Sequence, residues 1–439
     1  MKIYTYPIKS LRGTTLDEAT LTRTGFRYDR RFMLLKVVAS DSSGSGEDEG
    51  EGKGELRPMS VSRFPEMALF GTEIVDGQDG GQDGDDEGER VVVTYTPPSS
   101  SPPSPPSPPR HTDEEPGPEK TTRKLSIPLH PNIHTNHPQV KVNLHNSPTK
   151  AYDMGREYND WFSGCFGYRV VLVYLGPFYR EVLGSFAPVR HGRLAWLRRD
   201  WGWKGKWMWE RDLVVVVVVL VGIYGWGEGL GHGQLYFLLM AVLLRILLFL
   251  NANYTTTSTN QGKERITFAD CAPYLITSTT SLCNVSSRLP NHTPDMTKFR
   301  PNIVISGAET AFEEDFWTEV TISPSNKQGS RLPLTANCIR CTSINVDYTT
   351  GKMGKGEGGS VLKSLMKDRR VDQGARFSPV FGRYAFLDSG SEYEEVRVGD
   401  EVVVSERARK RSVFGEFVFS YILCLILLLM FIIDWPGLG

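Results

Sequence analysis

The chain lacks the features that mark disulfide-built, nucleic-acid-binding or secreted proteins. Only six of its 439 residues are cysteine, too few and too scattered for a disulfide framework, which favours a reducing compartment. Its formal net charge of −1 provides no global basic field for a nucleic-acid backbone, so we expect no nucleic-acid partner. No basic stretch followed by an apolar run opens the chain, which predicts no signal peptide.

Three polar stretches of low complexity interrupt the first third of the chain. Residues 39–56 are rich in Ser, Gly and Glu, residues 76–90 in Asp and Gly, and residues 97–120 in Pro and Ser. None contains enough apolar surface to offset the entropy cost of ordering, so we predict disordered loop insertions. A β-domain tolerates such insertions because the cost of closing a loop grows only slowly with its length.

Short strand-like segments lie around these stretches. Apolar runs and alternating patterns predict strands at Arg31–Val38, Met67–Phe70, Val91–Tyr95 and Lys141–Leu144. A helix with an aromatic face is predicted at Glu157–Phe162. A second globular region, again rich in short strands and turns, follows at 265–405.

Three apolar runs stand apart from this pattern. Residues 213–221 are almost entirely Val and Leu, and residues 235–250 are apolar except for Arg245. The first run is short for a membrane span and an arginine is costly at mid-bilayer depth, so a membrane hairpin and a buried or interfacial pair both fit. Residues 417–433 form an unbroken apolar run behind a basic cluster at 407–411. This favours a C-terminal membrane anchor over a buried helix.

The segment Cys338-Ile339-Arg340-Cys341 carries the most reactive chemistry in the sequence. Two cysteines at this spacing can supply half a zinc site, a thiol–disulfide pair, or a thiolate for another metal. No second such pair completes a zinc site, and the strand-like residues 342–346 that follow differ from the helix of a thioredoxin-type site. Arg340 would favour a thiolate. Local chemistry alone supports a metal or redox role and a pair of buried cysteines equally.

Motifs along the whole chain resemble the MOSC family, and within it the branch of the mitochondrial amidoxime-reducing component and its bacterial relatives. Each motif alone has little specificity, but their number, order and spacing are specific. In the first half the motifs are Tyr6-Pro7-Ile8-Lys9-Ser10, Gly25-Phe26-Arg27-Tyr28-Asp29-Arg30-Arg31-Phe32 and Ser62-Arg63-Phe64-Pro65. In the second half they are Phe299-Arg300-Pro301-Asn302-Ile303-Val304, Cys338–Cys341 with Val346-Asp347 and Gly351, Ser378–Tyr384, and Val398-Gly399-Asp400.

The resemblance implies a mainly β fold with some helix (α+β), in which an N-terminal MOSC β-barrel domain is joined to a C-terminal MOSC β-barrel domain. Disordered loop insertions and apolar helical segments would interrupt this framework. The boundaries expected are 1–175 for the N-terminal domain, 176–262 for an insertion with apolar helices that could associate with a membrane, 263–405 for the MOSC domain, and 406–439 for a basic segment with a transmembrane anchor.

The family holds a molybdenum–pterin cofactor, and matching positions imply where this chain would bind it. Cys341 matches the metal ligand and would be the catalytic thiolate. The positions that match cofactor contacts are Lys9, Ser10, Arg31, Asp270, Arg300, Asn302, Arg340 and Tyr384. Lys and Arg suit this role because they pair with phosphate. The chain departs from the family at Asp270-Cys271-Ala272-Pro273, where the animal proteins have hydroxyl residues beside the aspartate.

The activity that the resemblance implies is oxygen-atom removal at molybdenum from a small N-hydroxylated substrate, such as an amidoxime. The sequence shows no haem or flavin motif, so electrons would come from an external donor, for which the family suggests cytochrome b5 and its reductase. The implied location is the cytosolic face of the mitochondrial outer membrane or endoplasmic reticulum, or the cytoplasm without an anchor. The alternatives are a non-redox MOSC protein that carries sulfur or binds the cofactor, and a membrane-anchored scaffold that has lost the cofactor.

Overall fold

A computed structural model gives the fold of the chain. It describes residues 1–38, 54–75, 88–98, 122–133, 137–183, 186–188, 264–323 and 329–413. These residues belong to one compact unit, Met1–Pro188 together with Glu264–Gly439. A second unit, Val189–Lys263, lies outside the described residues.

Strands form most of the described part of the first half, in which one α-helix is seen, α1 (Arg156–Phe166). The strands are β1 (Lys2–Thr5), β2 (Thr14–Leu16), β3 (Glu18–Thr22), β4 (Gly25–Phe26), β5 (Phe32–Val38), β6 (Glu55–Pro58), β7 (Phe70–Val75), β8 (Arg90–Tyr95), β9 (Arg123–Pro128), β10 (Gln139–Leu144), β11 (Ser147–Asp153), β12 (Val170–Tyr174) and β13 (Arg180–Glu181).

Among its described residues, the second half adds two short helices, α2 (Thr279–Ser286) and α3 (Val361–Met366). Its strands are β14 (Arg265–Ile266), β15 (Tyr274–Ser278), β16 (Ile303–Ile305), β17 (Trp317–Ser323), β18 (Ser330–Ile339), β19 (Val346–Asp347), β20 (Lys352–Met353), β21 (Val380–Ala385), β22 (Glu395–Arg397) and β23 (Glu401–Arg407). The mainly β class predicted from the sequence is therefore confirmed.

The two halves of the unit share one sheet. Its eight strands follow the order β2-β1-β16-β15-β21-β18-β17-β23. β1 pairs antiparallel with β16, with Lys2 opposite Val304, and β16 pairs in parallel with β15. A second cross-connection pairs Arg180 of β13 with Ile266 of β14. Segments near residues 9, 30, 270 and 300 are thereby brought together although they lie far apart in the sequence.

The first half has its own aromatic core beside α1. The ring of Phe70 on β7 stacks on Phe166 with centroids 4.7 Å apart and lies 5.8 Å from Phe162. Both partners lie on α1, four residues apart, because that spacing puts side chains on one helix face. Gly167 ends the helix with φ 76° and donates its N–H to Ser163. Glycine suits this position because it has no Cβ to clash in the left-handed conformation.

Most of the predicted elements are confirmed, with two differences among the short ones. The strand predicted at Met67–Phe70 is wrong, because Pro65–Leu69 forms a 3-10 turn and the strand starts only at Phe70. Pro65, at the start of the turn, has the fixed φ of a helix start and lacks an N–H for a strand ladder. The strand predicted at 342–346 is also wrong for Thr342–Asn345, another 3-10 turn.

The three predicted insertions lie mostly outside the described residues, but their edges are visible. β6 begins at Glu55 and β8 at Arg90, inside the predicted insertions 39–56 and 76–90. The reason is that the ladders continue outward, with Val38 opposite Glu55 and Val75 opposite Arg90. The apolar runs at 213–221, 235–250 and 417–433 lie wholly outside the described residues. Within the described stretches, no helix combines the length and apolarity needed to cross a membrane.

The second half buries a carboxyl group with incomplete hydrogen bonding. Glu314 is fully buried, and one of its oxygens accepts a hydrogen bond of 2.8 Å from the Ser281 hydroxyl on α2. Its other oxygen, Oε1, has no partner among the described residues. Burial disfavours the charged form and raises the pKa of Glu314 to about 7.

We predict that this group makes stability fall as pH rises. Because the folded-state pKa lies above that of an unfolded Glu, about 4.3, stability is highest below that value and declines as pH rises towards about 7. The Glu314→Gln variant should lose this slope and gain on the order of 3 kcal/mol over the parent at pH 8. Urea unfolding between pH 4.5 and 8 measures it. The surface variant Glu319→Gln should keep the slope, and an unchanged slope in Glu314→Gln would contradict the assignment.

Candidate functional site

Lys9 and Asp270 form an ion pair between the two halves. The Lys9 side chain is 7% exposed, and its ammonium donates to the Asp270 carboxylate and, at 2.9 Å, to the carbonyl of Phe268. Asp270 is 56% exposed and also lies 3.1 Å from Nε2 of His145. Desolvation acts to raise the pKa of Asp270, but Lys9 and His145 hold it well below its usual range. The carboxylate is therefore ionised at neutral pH.

The backbone around Lys9 is fixed by the start of β5. Ile8 forms a parallel bridge with Phe32, and the Lys9 N–H donates to the Phe32 carbonyl at 2.8 Å. Ser10 follows with φ 70°, in the left-handed region that non-glycine residues rarely adopt. Both Lys9 and Ser10 are nearly buried. The turn after β1 thus holds these two predicted site residues against the strand that follows Arg31.

A second ion pair, Asp29 with Arg30, is buried beside the first. The Arg30 guanidinium donates to Asp29, to Oδ1 of Asn302 at 3.2 Å, and to the carbonyl of Arg300 at 3.2 Å. Burial opposes the charge of Arg30, but Asp29 more than compensates and leaves its pKa raised. Asn302 also accepts from the Leu275 N–H and donates to the Tyr4 carbonyl. Asn302 is therefore held within this network.

Arg31, the residue predicted from the sequence, points elsewhere. Its guanidinium donates to the carbonyl of Gly176 and lies 5.6 Å from the ring centroids of Tyr174 and Tyr179. The change of direction follows from the turn before β5, because Arg30 has φ 52°, in the left-handed region. Arg30 therefore joins Arg300 and Asn302, whereas Arg31 covers the aromatic rings of the first half. Arg31 stays a predicted cofactor contact, and motifs alone do not distinguish these two adjacent arginines.

Arg300 has a guanidinium nitrogen with no partner among the described residues. Its Nη1 donates to the Leu11 carbonyl at 2.8 Å, while its buried Nη2 has no acceptor in the described part of the chain. The guanidinium lies 4.4 Å from the Tyr6 ring centroid, and Arg30 lies 4.8 Å from the same ring. Burial, with Arg30 close by, lowers the pKa of Arg300. A buried cation with an unused donor fits an anionic ligand.

Arg340 is used to fix the backbone. Its guanidinium donates twice to the Phe381 carbonyl, at 2.8 and 2.5 Å, and once to the Phe299 carbonyl at 2.7 Å. It also lies over the rings of both phenylalanines. These contacts tie the end of β18 to β21 and to the segment before Arg300. They position Cys341, which follows directly.

The two cysteines of the Cys338–Cys341 segment face different environments. Cys338 on β18 is 3% exposed, whereas Cys341 is exposed and its sulfur lies 3.2 Å from the Ser343 hydroxyl. A separation of three residues puts side chains of extended backbone on opposite faces, and it spans roughly 10 Å. A disulfide requires Cα atoms within about 7 Å. This geometry disfavours the thiol–disulfide interpretation and leaves Cys341 as the accessible thiol.

Tyr384 lies beside the buried Cys338 and the half-buried Cys271, and it packs against an apolar cluster. It sits on β21, and its ring meets Phe186 edge-on at 5.8 Å. Burial raises the pKa of Tyr384 well above its usual range, and Cys338 and Cys271 nearby raise it further. Burial likewise raises the pKa of Cys271 to about 12. The residue beside Asp270 is thus a protonated thiol at neutral pH.

Two features of the described chain bear on what the site could hold. No group of three or more His, Cys, Asp and Glu side chains has metal-binding geometry among the described residues. Two cavities of about 430 and 380 Å³ lie in other parts of the unit, and none of the predicted site residues lines either.

Comparison with known proteins agrees with the two halves seen here. The MOSC N-terminal beta barrel domain matches residues 1–96, and the MOSC domain matches residues 263–403. The chain is a MOSC-domain protein. Mitochondrial amidoxime-reducing component 1 of Homo sapiens is 37% identical over 144 residues, 32% of this chain and 39% of that protein. Mitochondrial amidoxime reducing component 2 of Rattus norvegicus is 37% identical over 139 residues, 31% and 38% of the two chains.

A molybdenum cofactor sulfurase also matches this MOSC-domain protein. Molybdenum cofactor sulfurase of Emericella nidulans is 33% identical over 111 residues, 24% of this chain and 13% of that protein. The chain spans about two fifths of the length of the amidoxime-reducing components that it matches. The resemblance inferred from short motifs is confirmed at the level of the family.

The contrast between Arg30 and Arg31 can be tested by stability. We expect Arg30→Gln to lower the free energy of unfolding by about 3–5 kcal/mol, because it leaves the buried Asp29 carboxylate without its cation. Arg31→Gln should cost less than about 1 kcal/mol, since that side chain is partly exposed. Urea unfolding of both variants measures the difference. Equal losses would contradict the placement of Arg30 in the buried network.

The cysteine environments predict a labelling order. In the native protein, iodoacetamide should modify the exposed Cys341 and Cys283 first, because Cys338 is buried and the pKa of both Cys338 and the half-buried Cys271 is raised. All four should react in 8 M urea. Peptide mass spectrometry after timed quenching measures the order. Labelling of Cys338 as fast as Cys341 would refute the opposite-face geometry.

Proposed function

We propose that this MOSC-domain protein is a molybdenum-cofactor-dependent oxidoreductase that removes oxygen from small N-hydroxylated substrates. The observation that carries the proposal is the buried Nη2 of Arg300, which has no partner among the described residues. It lies close to Arg30, on the same shared framework as Lys9 and the exposed Cys341 thiol. A basic cluster suits the phosphate of a pterin cofactor, and a thiolate is a soft ligand that suits molybdenum.

The residues divide into binding and positioning roles. Lys9, Arg30 and Arg300 would hold the anionic part of the cofactor, and Ser10 and Tyr384 would add hydroxyl contacts. Cys341 would ligate the metal and be the catalytic thiolate. Arg340 and Asn302 hold backbone and side-chain partners within the protein, so we assign them positioning roles. For Arg31, the match to the family motif is the support for a cofactor contact.

The chemistry itself belongs to the cofactor, which supplies two-electron oxygen-atom removal when bound. Conversion of an N–OH group to N–H consumes two electrons and two protons and releases water. The protein's own part is to orient the group, to hold Asp270 ionised beside Lys9, and to keep the Cys271 and Cys338 thiols protonated. Electrons would come from an external donor, for which we propose cytochrome b5 with its reductase.

The shared sheet limits how the chain can meet a membrane. Because β1 pairs with β16, both halves must lie on the same side of any bilayer. Any crossings between residues 189 and 263 must then be even in number. We propose attachment through the C-terminal segment to the mitochondrial outer membrane or endoplasmic reticulum, with the site facing the cytosol. The amidoxime-reducing relatives are named as mitochondrial proteins, which supports the mitochondrial choice.

A second candidate function is non-redox transfer of sulfur or storage of the cofactor. The similarity to a molybdenum cofactor sulfurase supports it. An accessible Cys341 thiol could carry sulfur as well as ligate a metal. The two candidates differ in whether the loaded protein reduces an N-hydroxylated compound.

Metal analysis of three purified proteins tests the proposal. The parent chain and Cys338→Ala should retain molybdenum, whereas Cys341→Ala should lose most of it, because only Cys341 is exposed at the site. Elemental analysis by mass spectrometry measures this. A parent chain without molybdenum, or equal loss in both variants, contradicts the assignment. Molybdenum without turnover of benzamidoxime by an artificial reductant favours the sulfur-transfer candidate.

A further inference from the structure

His145 occupies an unusual turn beside the Lys9–Asp270 pair. β10 and β11 are joined by only two residues, His145 and Asn146, with Leu144 opposite Ser147. Both turn residues have positive φ, 54° and 61°, as a two-residue hairpin turn of this type requires. Gly and Asn favour this conformation, and histidine adopts it more readily than most other side chains. The turn fixes the place of the His145 ring relative to Asp270.

The contact between His145 and Asp270 is enforced from both sides. Arg180 is completely buried, and its guanidinium donates to the carbonyls of Leu144 at 2.8 Å, Ser147 at 3.3 Å and Ala269 at 2.6 Å. The first two carbonyls flank the turn, and the third precedes Asp270. One buried cation thus fastens both backbones that carry the contact, at the cost of burying its charge without a carboxylate in hydrogen-bond reach among the described residues.

Asp270 is shared between two cations of different kinds. Its Oδ1 accepts from the buried Lys9 ammonium and lies 3.1 Å from the exposed His145 ring. An ammonium has three donors, of which Phe268 and Asp270 take two. If His145 carries a proton, it satisfies the carboxylate and weakens the hold of Asp270 on Lys9. Lys9 can then direct more of its charge to a bound anion.

We propose that His145 is a positioning residue that couples anion binding at Lys9 to pH, with tight binding when its imidazole is protonated. The inference rests on the proposed function in one respect, that the cluster around Lys9 binds an anion. Histidine is the side chain whose charge ordinarily changes between pH 5 and 8. Protonation adds one positive charge a few ångströms from the site, which should tighten anion binding roughly tenfold in a partly exposed setting.

Several groups around Asp270 keep one protonation state at neutral pH. Asp270 itself is ionised, because its pKa is held well below its usual range. Burial raises the pKa of Cys271, Cys338 and Tyr384 away from neutrality, whereas it lowers that of Lys9, so the His145 variants are needed to separate the effects of His145 and Lys9. The charged and titratable groups that face Asp270 are Lys9, Arg30, Arg180, Arg300, His145, Cys271, Cys338 and Tyr384.

Sulfate is a suitable probe because it stays a dianion from pH 5.5 to 7.5. Its dissociation constant is obtained from the sulfate-dependent rise in Tm of the full chain, prepared without cofactor, at constant ionic strength. The parent should bind sulfate roughly tenfold more tightly at pH 5.5 than at pH 7.5. The His145→Gln variant should bind sulfate weakly at both pH values, and the His145→Lys variant should bind it tightly at both. These opposite effects at one position exclude a merely structural role.

Two controls locate the effect. His130 lies against Tyr28 and Arg27 in the first half, so His130→Gln should behave as the parent does. Lys9→Gln should abolish the binding, and binding that survives this change lies elsewhere and overturns the proposal. Retention of the tenfold pH effect in His145→Gln, or its absence in the parent, refutes the role of His145 alone. If the parent binds no sulfate at either pH, the result contradicts both the anion site and the proposed position of the cofactor.

Discussion

The buried Asp29–Arg30 pair is the interaction on which the rest of the site depends. Arg30 belongs to the first half of the unit, yet it donates to Asn302 and to the Arg300 carbonyl in the second half. Burying a charge is costly unless it is paired and fully hydrogen-bonded, so these partners must meet in one arrangement. The pair therefore fixes the left-handed backbone of Arg300, whose φ is 55°, and with it the direction of that guanidinium.

Two other buried guanidiniums extend the same principle to the surroundings of the site. Arg180 and Arg340 donate to backbone carbonyls instead of carboxylates. Each guanidinium presents several donors in a rigid plane, so one side chain can hold three chain segments in fixed relation. Arg180 fixes the His145 turn against Asp270. Arg340, the residue directly before Cys341, fixes the end of β18 against β21. Both contribute precision at the site more than favourable charge pairing.

The sequence allowed the fold class to be predicted, because strand-forming runs and family motifs are local signals. β5 was predictable from its apolar run, whereas the site roles of Lys9, Arg300 and Cys341 follow from motifs and stay predictions. Motifs do not show which way Arg30 and Arg31 point, because the positive φ of Arg30, 52°, turns the chain there and this conformation is not visible in the sequence. His145 and Arg180 carried no motif. Their roles depend on contacts with Asp270 and Ala269, more than 80 residues away in sequence, which only the fold reveals.

The balance of charge around Asp270 explains why such precision is needed. Lys9, Arg30, Arg180 and Arg300 stand against two carboxylates, Asp29 and Asp270, so the cluster carries an excess of positive charge. Desolvation lowers the pKa of Lys9, Arg180 and Arg300, which shows that the folded chain holds these charges at a cost. A compact fold would ordinarily relieve that cost with further acids or apolar replacements. Retaining the cations makes physical sense where an anion completes the cluster, because binding then stabilises the fold that created the site.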